Sequence, residues 1–278
     1  MTTDKYAVFG NPIKQSKSPQ IHMAFAKQLQ QDISYRTHHV DLDKFNDAAR
    51  SFFDNGGKGL NITVPFKIDA YNFADKLSGR AERAGAVNTL ALQEDGLIYG
   101  DNTDGAGIVR DICDNLDWQV SDQRVLLLGA GGAIRGVLEP LIKLKPRHLL
   151  IANRTVKKAQ KLAQDFSELG VVSACSFEAL NANQFDLIIN GTSASLAGEL
   201  PPLPNDALTE NGCCYDMMYS ATPTPFMHWG AANAAWACSD GLGMLVEQAA
   251  ESFCIWRGMR PQTRPVIELI RQELEREA

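Results

Sequence analysis

Short apolar, β-favouring runs alternate along this chain with stretches of helical periodicity, an order that predicts an α/β protein. Tyr6-Ala7-Val8-Phe9 ahead of Gly10-Asn11-Pro12 reads as the first strand. A helix follows over residues 19–30, with Ile21, Met23, Phe25 and Leu29 as its apolar positions. A strand over 34–40, a helix over 42–55 closed by Gly56-Gly57, and a strand over 59–64 come next. A helical stretch to Ser78 is expected after that, then a hairpin of residues 86–93 and 96–100 about Glu94-Asp95.

After Asp104 a helical run to about Leu116 leads into Arg124-Val125-Leu126-Leu127-Leu128, the unbroken apolar run of a strand buried on both faces. Helix 134–144, strand 148–153, helix 156–169 and strands 171–174 and 186–190 continue the βαβ alternation. Two helical patterns, 242–257 and 265–277, separated by Gly258 and Pro261, close the chain. The expected architecture is α/β with two domains. Residues 1–104, completed by 240–278, form an N-terminal α/β domain to which the C-terminal helices return, and 105–239 form a Rossmann-like, doubly wound nucleotide-binding domain.

Composition narrows the partners. A net charge of −6 and a pI near 5.4 argue against nucleic acid or an anionic membrane, both of which reward a basic face. The start of the sequence has no apolar h-region, and no run approaches the 18 apolar residues of a span, so a cytoplasmic protein without a membrane partner is expected. The six cysteines form no C-x-x-C pair and read as reduced thiols; the five histidines show no metal-ligand spacing, so no metal is expected.

The first chemical signal is Gly129-Ala130-Gly131-Gly132-Ala133, between a predicted strand and a predicted helix. Glycine at 129 permits a tight turn, and glycine at 131 lets backbone N–H groups approach a pyrophosphate at the helix N-terminus. Ile134 stands where a strict fingerprint has its third glycine. At the end of the next strand, Asn153-Arg154-Thr155 lacks the acid that NAD enzymes use for the ribose. Arg154 and Lys158 instead offer cations for a 2′-phosphate, which favours NADP, while Thr155 can cap the following helix. Asn190-Gly191-Thr192-Ser193 ends a later strand at the crevice edge.

In the first domain, Ser16-Lys17-Ser18-Pro19, Asn61 to Lys67, Gly85 to Thr89 and Asp101 to Gly105 combine turns with uncharged hydrogen-bonding groups. A ligand with several hydroxyls needs such groups, since a buried hydroxyl left unpaired costs on the order of 1–3 kcal/mol. Singly, these residues read as caps, turn formers or helix polar positions.

Together with Asp216 to Tyr219 and Gly241 to Gln248, the segments resemble the shikimate dehydrogenase family over essentially the whole chain. The resemblance implies reversible NADPH-dependent reduction of 3-dehydroshikimate to shikimate, a step in chorismate and aromatic amino acid biosynthesis. It implies a small-molecule substrate whose carboxylate is held by Ser16 and Ser18, with Thr63 and Tyr219, and whose hydroxyls are bound by Asn61, Asn88, Asp104 and Gln248. Lys67 would be the general acid/base and Asp104 its partner at the reacting oxygen. Gly129, Ala130, Gly131, Gly132, Ala133, Asn153, Arg154, Thr155, Lys158, Thr192, Met217 and Gly241 would line the NADP site.

Three positions depart from the family pattern: Gly79, where an acidic residue is common; Lys158, where a second arginine is common; and Gly191, where alanine is common. The alternatives are a quinate/shikimate dehydrogenase that uses NAD, against which Arg154 speaks, and a metabolite sensor without turnover, against which Lys67 and Asp104 speak. The sequence leaves the oligomeric state open, a homodimer being among the assemblies it allows.

Overall fold

The apolar run at Arg124–Leu128 shows how the second half of the chain is built. Val125 and Leu127 enter one buried cluster and Leu126 and Leu128 another, so alternate residues of this strand feed cores on both faces of the sheet. In the structure, a computed structural model that describes residues 3–180, 183–192, 194 and 198–277, the chain divides into two compact units. These are Met1–Gly107 with Val246–Ile270, and Ile108–Leu245 with Arg271–Ala278.

The first unit carries strands β1 (Asp4–Gly10), β2 (Ile33–His39), β3 (Gly57–Ile62), β4 (Lys76–Leu77), β5 (Thr89–Leu92) and β6 (Ile98–Asp101). They form one sheet in the order β2-β1-β3-β5-β6-β4. β1 pairs in parallel with β2 and β3, β5 runs antiparallel to β3 and β6, and β4 is parallel to β6. Helices α1 (Ser18–Gln28), α2 (Phe45–Asp54), α3 (Lys67–Phe73) and α4 (Gly79–Ala84) connect them. In α1, Ile21 and Phe25 are buried while Met23 is 44% exposed, so the inward stripe is narrower than the apolar pattern suggests.

The helical stretch expected to reach Ser78 stops at Phe73. Ala74 turns extended (φ −67°, ψ 137°), Asp75 ties the chain to Ile98 through backbone and side chain, and β4 forms. Ser78 then caps α4, accepting from Ala81 N at 3.1 Å, and Gly85 closes that helix at φ 61°. Pairing with a strand more than twenty residues away decides this segment, and no local pattern carries it.

Helix α5 (Asp104–Arg110) passes into a π-helical turn at Asp111–Asn115. The second unit then contains β7 (Arg124–Leu128), α6 (Gly132–Lys143), β8 (His148–Ala152), α7 (Val156–Asp165), β9 (Val172–Cys175), a 3₁₀ turn at Phe177–Leu180 and β10 (Phe185–Asn190). It continues with β11 (Leu208–Asp216), α8 (Pro225–Ala232) and β12 (Ala237–Ser239). All six strands are parallel, in the order β12-β11-β10-β7-β8-β9. Counted from β7 this is the 3-2-1-4-5-6 Rossmann order, whose switch point lies between β7 and β10.

α7 ends four residues before the expected Leu169, because Phe166 leaves the helix to fill the core beneath Arg135, whose guanidinium lies 5.6 Å from its ring. β11, α8 and β12 had no counterpart in the sequence reading. After the buried Leu208, which pairs with Phe185, β11 carries the polar Thr209, Glu210 and Asn211, and continuous pairing along β10 resumes only from Cys213 to Asp216.

Helices α9 (Leu242–Arg257) and α10 (Arg264–Glu277) end the chain. Val246 to Ile270, most of the two helices, belongs to the first unit, while Leu242–Leu245 at the start of α9 and Arg271–Glu277 at the end of α10 go with the second. Trp256 of α9 lies where a Cβ on Gly59 would be, 2.4 Å from its Nε1, and donates to Leu90 O at 3.0 Å. Arg257 reaches Asp4 at 2.5 Å, so α9 is fastened across β1, β3 and β5.

Candidate active site

Two helix starts in the first unit meet. Lys67 is the first residue of α3 and Asp104 the first of α5, and Lys67 Nζ lies 2.5 Å from Asp104 Oδ2. Pro65 and the buried Phe66 fix the entry to α3. Asn102 fixes the entry to α5, accepting from Asp104 N at 3.2 Å and donating to Ala86 O at 3.1 Å. The other carboxylate oxygen, Oδ1, accepts from Asn88 Nδ2 at 2.8 Å, so the carboxylate is held on both sides. The Lys67 side chain remains 29% exposed against 11% for Asp104, which leaves the ammonium open to a ligand while its partner is shut in.

Asn88, 2% exposed, is the hub. Its amide also donates to Thr103 Oγ1 (2.9 Å) and Gln248 Oε1 (3.2 Å), and its Oδ1 accepts from Thr89 Oγ1 (2.9 Å) and Thr103 N (2.9 Å). Asn61, on β3, joins through Thr89 and Ser252, whose hydroxyls lie 2.7 Å apart. Expected as a hydroxyl ligand, Asn61 has its donors engaged inside the protein, and its Oδ1 accepts from Tyr35 at 2.7 Å. Ser16 and Ser18 form their own pair, Oγ to Oγ 3.2 Å, at the start of α1. Thr63 is half-buried and bonds Phe9 O through its backbone N at 2.9 Å. The structure therefore gathers Lys67, Asn88, Asp104 and Gln248 into one bonded cluster, adds Asn61 through intermediates, and leaves Ser16, Ser18 and Thr63 beside other contacts.

Sequence reasoning missed Ser252, Tyr35 and His22. Ser252 sits one helical turn after Gln248 and bonds its carbonyl at 3.0 Å, so the pair was legible as two polar positions on one face. His22 was not legible. It is fully buried, stacks 4.4 Å from Tyr35, and its ring nitrogens have no hydrogen-bond partner among the described residues. Burial lowers its pKa to about 3 against the influence of Asn61. The Tyr35 hydroxyl is raised well above its ordinary range by burial, against a hydrogen bond with Ser18.

A second network in this unit is built around ions. Arg80 meets Asp101 at 2.7 Å and Glu251 at 3.2 Å, and Arg260 meets Glu251 at 2.8 Å and Glu247 at 2.6 Å. Burial works against the Arg80 charge, yet Asp101 and Glu251 outweigh it and raise its pKa. Gly79, beside Arg80, faces open space. The network fixes Asp101 and hence the turn that presents Asp104.

In the second unit the glycine loop lies at the switch point. Gly129 has φ 104°, and a Cβ there would stand 3.3 Å from Thr192 Cγ2 and from Gly191 O. Gly131, Gly132 and Ala133 are exposed, and no atom lies within 4 Å of a Cβ built at 131 or 132, so backbone can be approached from outside. Ala130 is half-buried against the core. The N-cap of α6 is Gly131, with no side chain on its N–H groups and no acid in its first turn.

Ile134 is fully buried, and a Cβ on Gly191 would fall 2.4 Å from its Cδ1. The two departures from the usual pattern are thus one: the larger residue at 134 occupies the room that alanine at 191 would need.

Asn153 donates to Thr155 O at 2.9 Å. Thr155 is the N-cap of α7, but its side chain accepts no cap hydrogen bond, contrary to the capping role expected of it. Arg154 and Lys158 are exposed, neither has an ion pair among the described residues, and the first turn of α7 has no acid. An open glycine loop at a helix N-terminus with uncompensated cations at the neighbouring strand end fits a dinucleotide bearing an extra phosphate.

Thr192 Oγ1 donates to Asn190 Oδ1 at 2.7 Å; Ser193 lies outside the described residues. Met217 follows β11 and packs on the core, and Gly241 follows β12, where a Cβ would be 2.3 Å from Met217 O. Tyr219, also in this unit, has its pKa raised by burial and by the Asp240 carboxylate.

Comparison with known proteins gives the same picture. Residues 8–90 match the model of the shikimate dehydrogenase substrate binding domain, 111–197 that of shikimate / quinate 5-dehydrogenase, and 241–271 that of the shikimate 5'-dehydrogenase C-terminal domain. The chain is 56% identical over 270 residues to the NADP(+) shikimate dehydrogenase of Methylococcus capsulatus, covering 97% of each, and 57% identical over 272 residues to that of Cellvibrio japonicus, covering 98% of each.

Among solved structures, an Ael1 enzyme from Pseudomonas putida superimposes with a TM-score of 0.91 at 45% identity, over 96% of this chain and 97% of that one. The Thermus thermophilus shikimate 5-dehydrogenase, solved in complex with NADP(H) and shikimate, gives 0.87 at 29% identity, over 97% and 99%. With three domain models in order along its length and relatives above half identity over nearly all of it, the chain belongs to the shikimate dehydrogenase family.

Proposed function

We propose that the chain catalyses the reversible reduction of 3-dehydroshikimate to shikimate with NADPH, in aromatic amino acid (chorismate) biosynthesis. The observation that carries this reading is the Lys67–Asp104 pair, partly open on the lysine side and braced by Asn88 within a polar cluster that includes Gln248. A cyclic acid with several hydroxyls matches that cluster, because each buried polar group needs a partner.

Bound NADPH supplies the hydride for the ketone carbon. The carbonyl oxygen of the substrate gains negative charge as it is reduced, and the Lys67 ammonium stabilises that charge and then donates its proton to give the hydroxyl. In the oxidative direction neutral Lys67 takes the same proton back. Asp104 keeps the lysine pointed at the reacting oxygen, and Asn88 keeps Asp104 from rotating away.

Ser16 and Ser18 hold the substrate carboxylate with Thr63 and Tyr219, while Asn88, Asp104 and Gln248 serve the hydroxyls and Asn61, held by Tyr35 and Ser252, braces them from behind through Thr89. Gly129, Ala130, Gly131, Gly132 and Ala133 receive the pyrophosphate. Asn153, Arg154, Thr155 and Lys158 receive the adenosine 2′-phosphate end, and Thr192, Met217 and Gly241 complete the cofactor site. On this reading residues 1–104 with 240–278 are the substrate-binding and catalytic domain, and 105–239 the NADP domain. The enzyme works in the cytoplasm. No helix among the described residues is long and apolar enough to cross a membrane.

The test is absorbance at 340 nm with shikimate or quinate, each with NADP and with NAD. Rapid reduction with shikimate and NADP is expected. Preference for quinate with NAD points to the broader quinate-type enzyme, and absence of turnover with intact binding points to a sensor.

A further inference from the structure

The segment after β11 and the segment after β12 touch through backbone. Gly241 N donates to Met218 O at 2.9 Å, and a Cβ on Gly241 would collide with Met217 O. Both segments carry residues assigned above to the cofactor site. What holds them in register is a set of buried carboxylates. Asp216, fully buried, accepts from Asn190 Nδ2 at 3.2 Å, Met218 N at 3.1 Å and Thr224 Oγ1 at 2.7 Å, anchoring the near end of the 217–220 segment. Asp240, 5% exposed, accepts from Leu242 N at 3.2 Å and Ser220 N at 3.4 Å, anchoring the far end.

Asp240 has in addition a charge partner, which lies some thirty residues on. Arg271 Nη2 donates to Asp240 Oδ1 at 2.5 Å and Nη1 to Ser220 O at 2.9 Å. One guanidinium therefore closes a loop of bonds that runs from Ser220 through Asp240 to Leu242. A lysine has three donors on a single nitrogen and no planar fork, so it would not reproduce this paired geometry from two separate nitrogens.

We propose that Arg271 is a positioning residue for the cofactor site: by clamping Asp240 to Ser220 it fixes the Met217–Ser220 segment against Gly241 in the arrangement that receives NADP. Removing the guanidinium leaves Asp240 buried without its ion-pair partner and the Ser220 carbonyl without this donor, so the two segments lose their common fastening.

The inference rests on the reading of Met217 and Gly241 as cofactor residues, and the experiment separates the two. NADP binding is measured by titration calorimetry, without turnover, for the wild type, Arg271→Ala and Arg271→Lys, with circular dichroism melts of each free protein. The expected result is a Kd for NADP raised ~10-fold or more in Arg271→Ala, as loss of a charge-assisted bond implies. An intermediate value is expected in Arg271→Lys, and millimolar guanidinium chloride, far below denaturing levels, should restore Arg271→Ala. That rescue is a result which general loosening of the fold would not give. If Arg271→Ala fails to fold, Arg271→Lys and Asp240→Asn decide by the same Kd. A wild type that does not bind NADP sinks the functional reading itself. A wild type that binds it, with variants of unchanged affinity or with no guanidinium rescue, overturns the role of Arg271 alone.

Discussion

The two units solve opposite problems. In the first unit, the cluster around Lys67 is made of side chains that bond one another: Asn88, Thr103, Asp104, Gln248 and Ser252 form a continuous polar network in a buried setting. In the second, the loop from Gly129 to Ala133 offers backbone and open space, and its nearby cations Arg154 and Lys158 stand in solvent. A small ligand with several hydroxyls requires partners fixed in advance, because an unpaired group inside a closed pocket is costly. A long anionic ligand is received by N–H groups and charge, which need room more than rigidity. The cluster of the first unit should therefore fail abruptly when one side chain is removed, and the loop of the second by degrees.

The sharpest test of that contrast is Lys67→Ala. It should lower kcat by roughly 10²-fold or more, the usual contribution of a general acid/base. Unchanged turnover in the 340 nm assay would remove Lys67 from the mechanism. Next in size, Arg154→Ala should weaken NADP by ~10-fold or more while leaving NAD nearly as it was, as for loss of a charged hydrogen bond. Equal loss for both cofactors, measured by their separate KM values, would detach Arg154 from the 2′-phosphate.

Third, Gly191→Ala places a Cβ against Ile134 and should cost about 1–3 kcal/mol by urea denaturation, as overpacking does. Ile134→Val in the same chain should recover much of that cost; additive losses would show that the two positions do not share the space.

The last expectation concerns acid. His22 has a folded pKa of about 3, below its ordinary 6.5, so between those values the unfolded chain binds the extra proton. The stability contributed by keeping this imidazole neutral is fully present above pH 6.5 and is lost as pH falls toward 3, at up to ~1.4 kcal/mol per pH unit. His22→Phe should flatten that slope by one proton in denaturation curves at pH 7, 6 and 5. An identical slope would show that other groups carry the acid sensitivity.

Much of this molecule was legible because its signals are local. β7 and α9 have the bounds their patterns predict, since an unbroken apolar run and a long amphipathic run need no distant partner to be recognised. The glycine loop was legible for the same reason. Segments whose structure is set by pairing were not. Lys76–Leu77 became a strand only because Tyr99–Gly100 lie alongside, and Leu208–Asp216 only because β10 offers an edge. Thr155 looked like a side-chain cap and proved to be a cap by backbone conformation alone.

By itself the sequence determined which residue types are present for the chemistry, their order, and the alternation that makes two α/β units. It named Lys67, Asp104 and the glycines, because turn geometry and family pattern are written in neighbouring residues. Only the tertiary structure decided which groups remain free to meet a ligand. Asn61 turned out to be held by Tyr35 and Ser252, His22 to be neutral within an aromatic cage, Gly191 to yield its space to Ile134, and Asp240 to lean on Arg271. Each of these depends on atoms brought together from distant parts of the chain, where burial makes a missing partner costly and a filled space final.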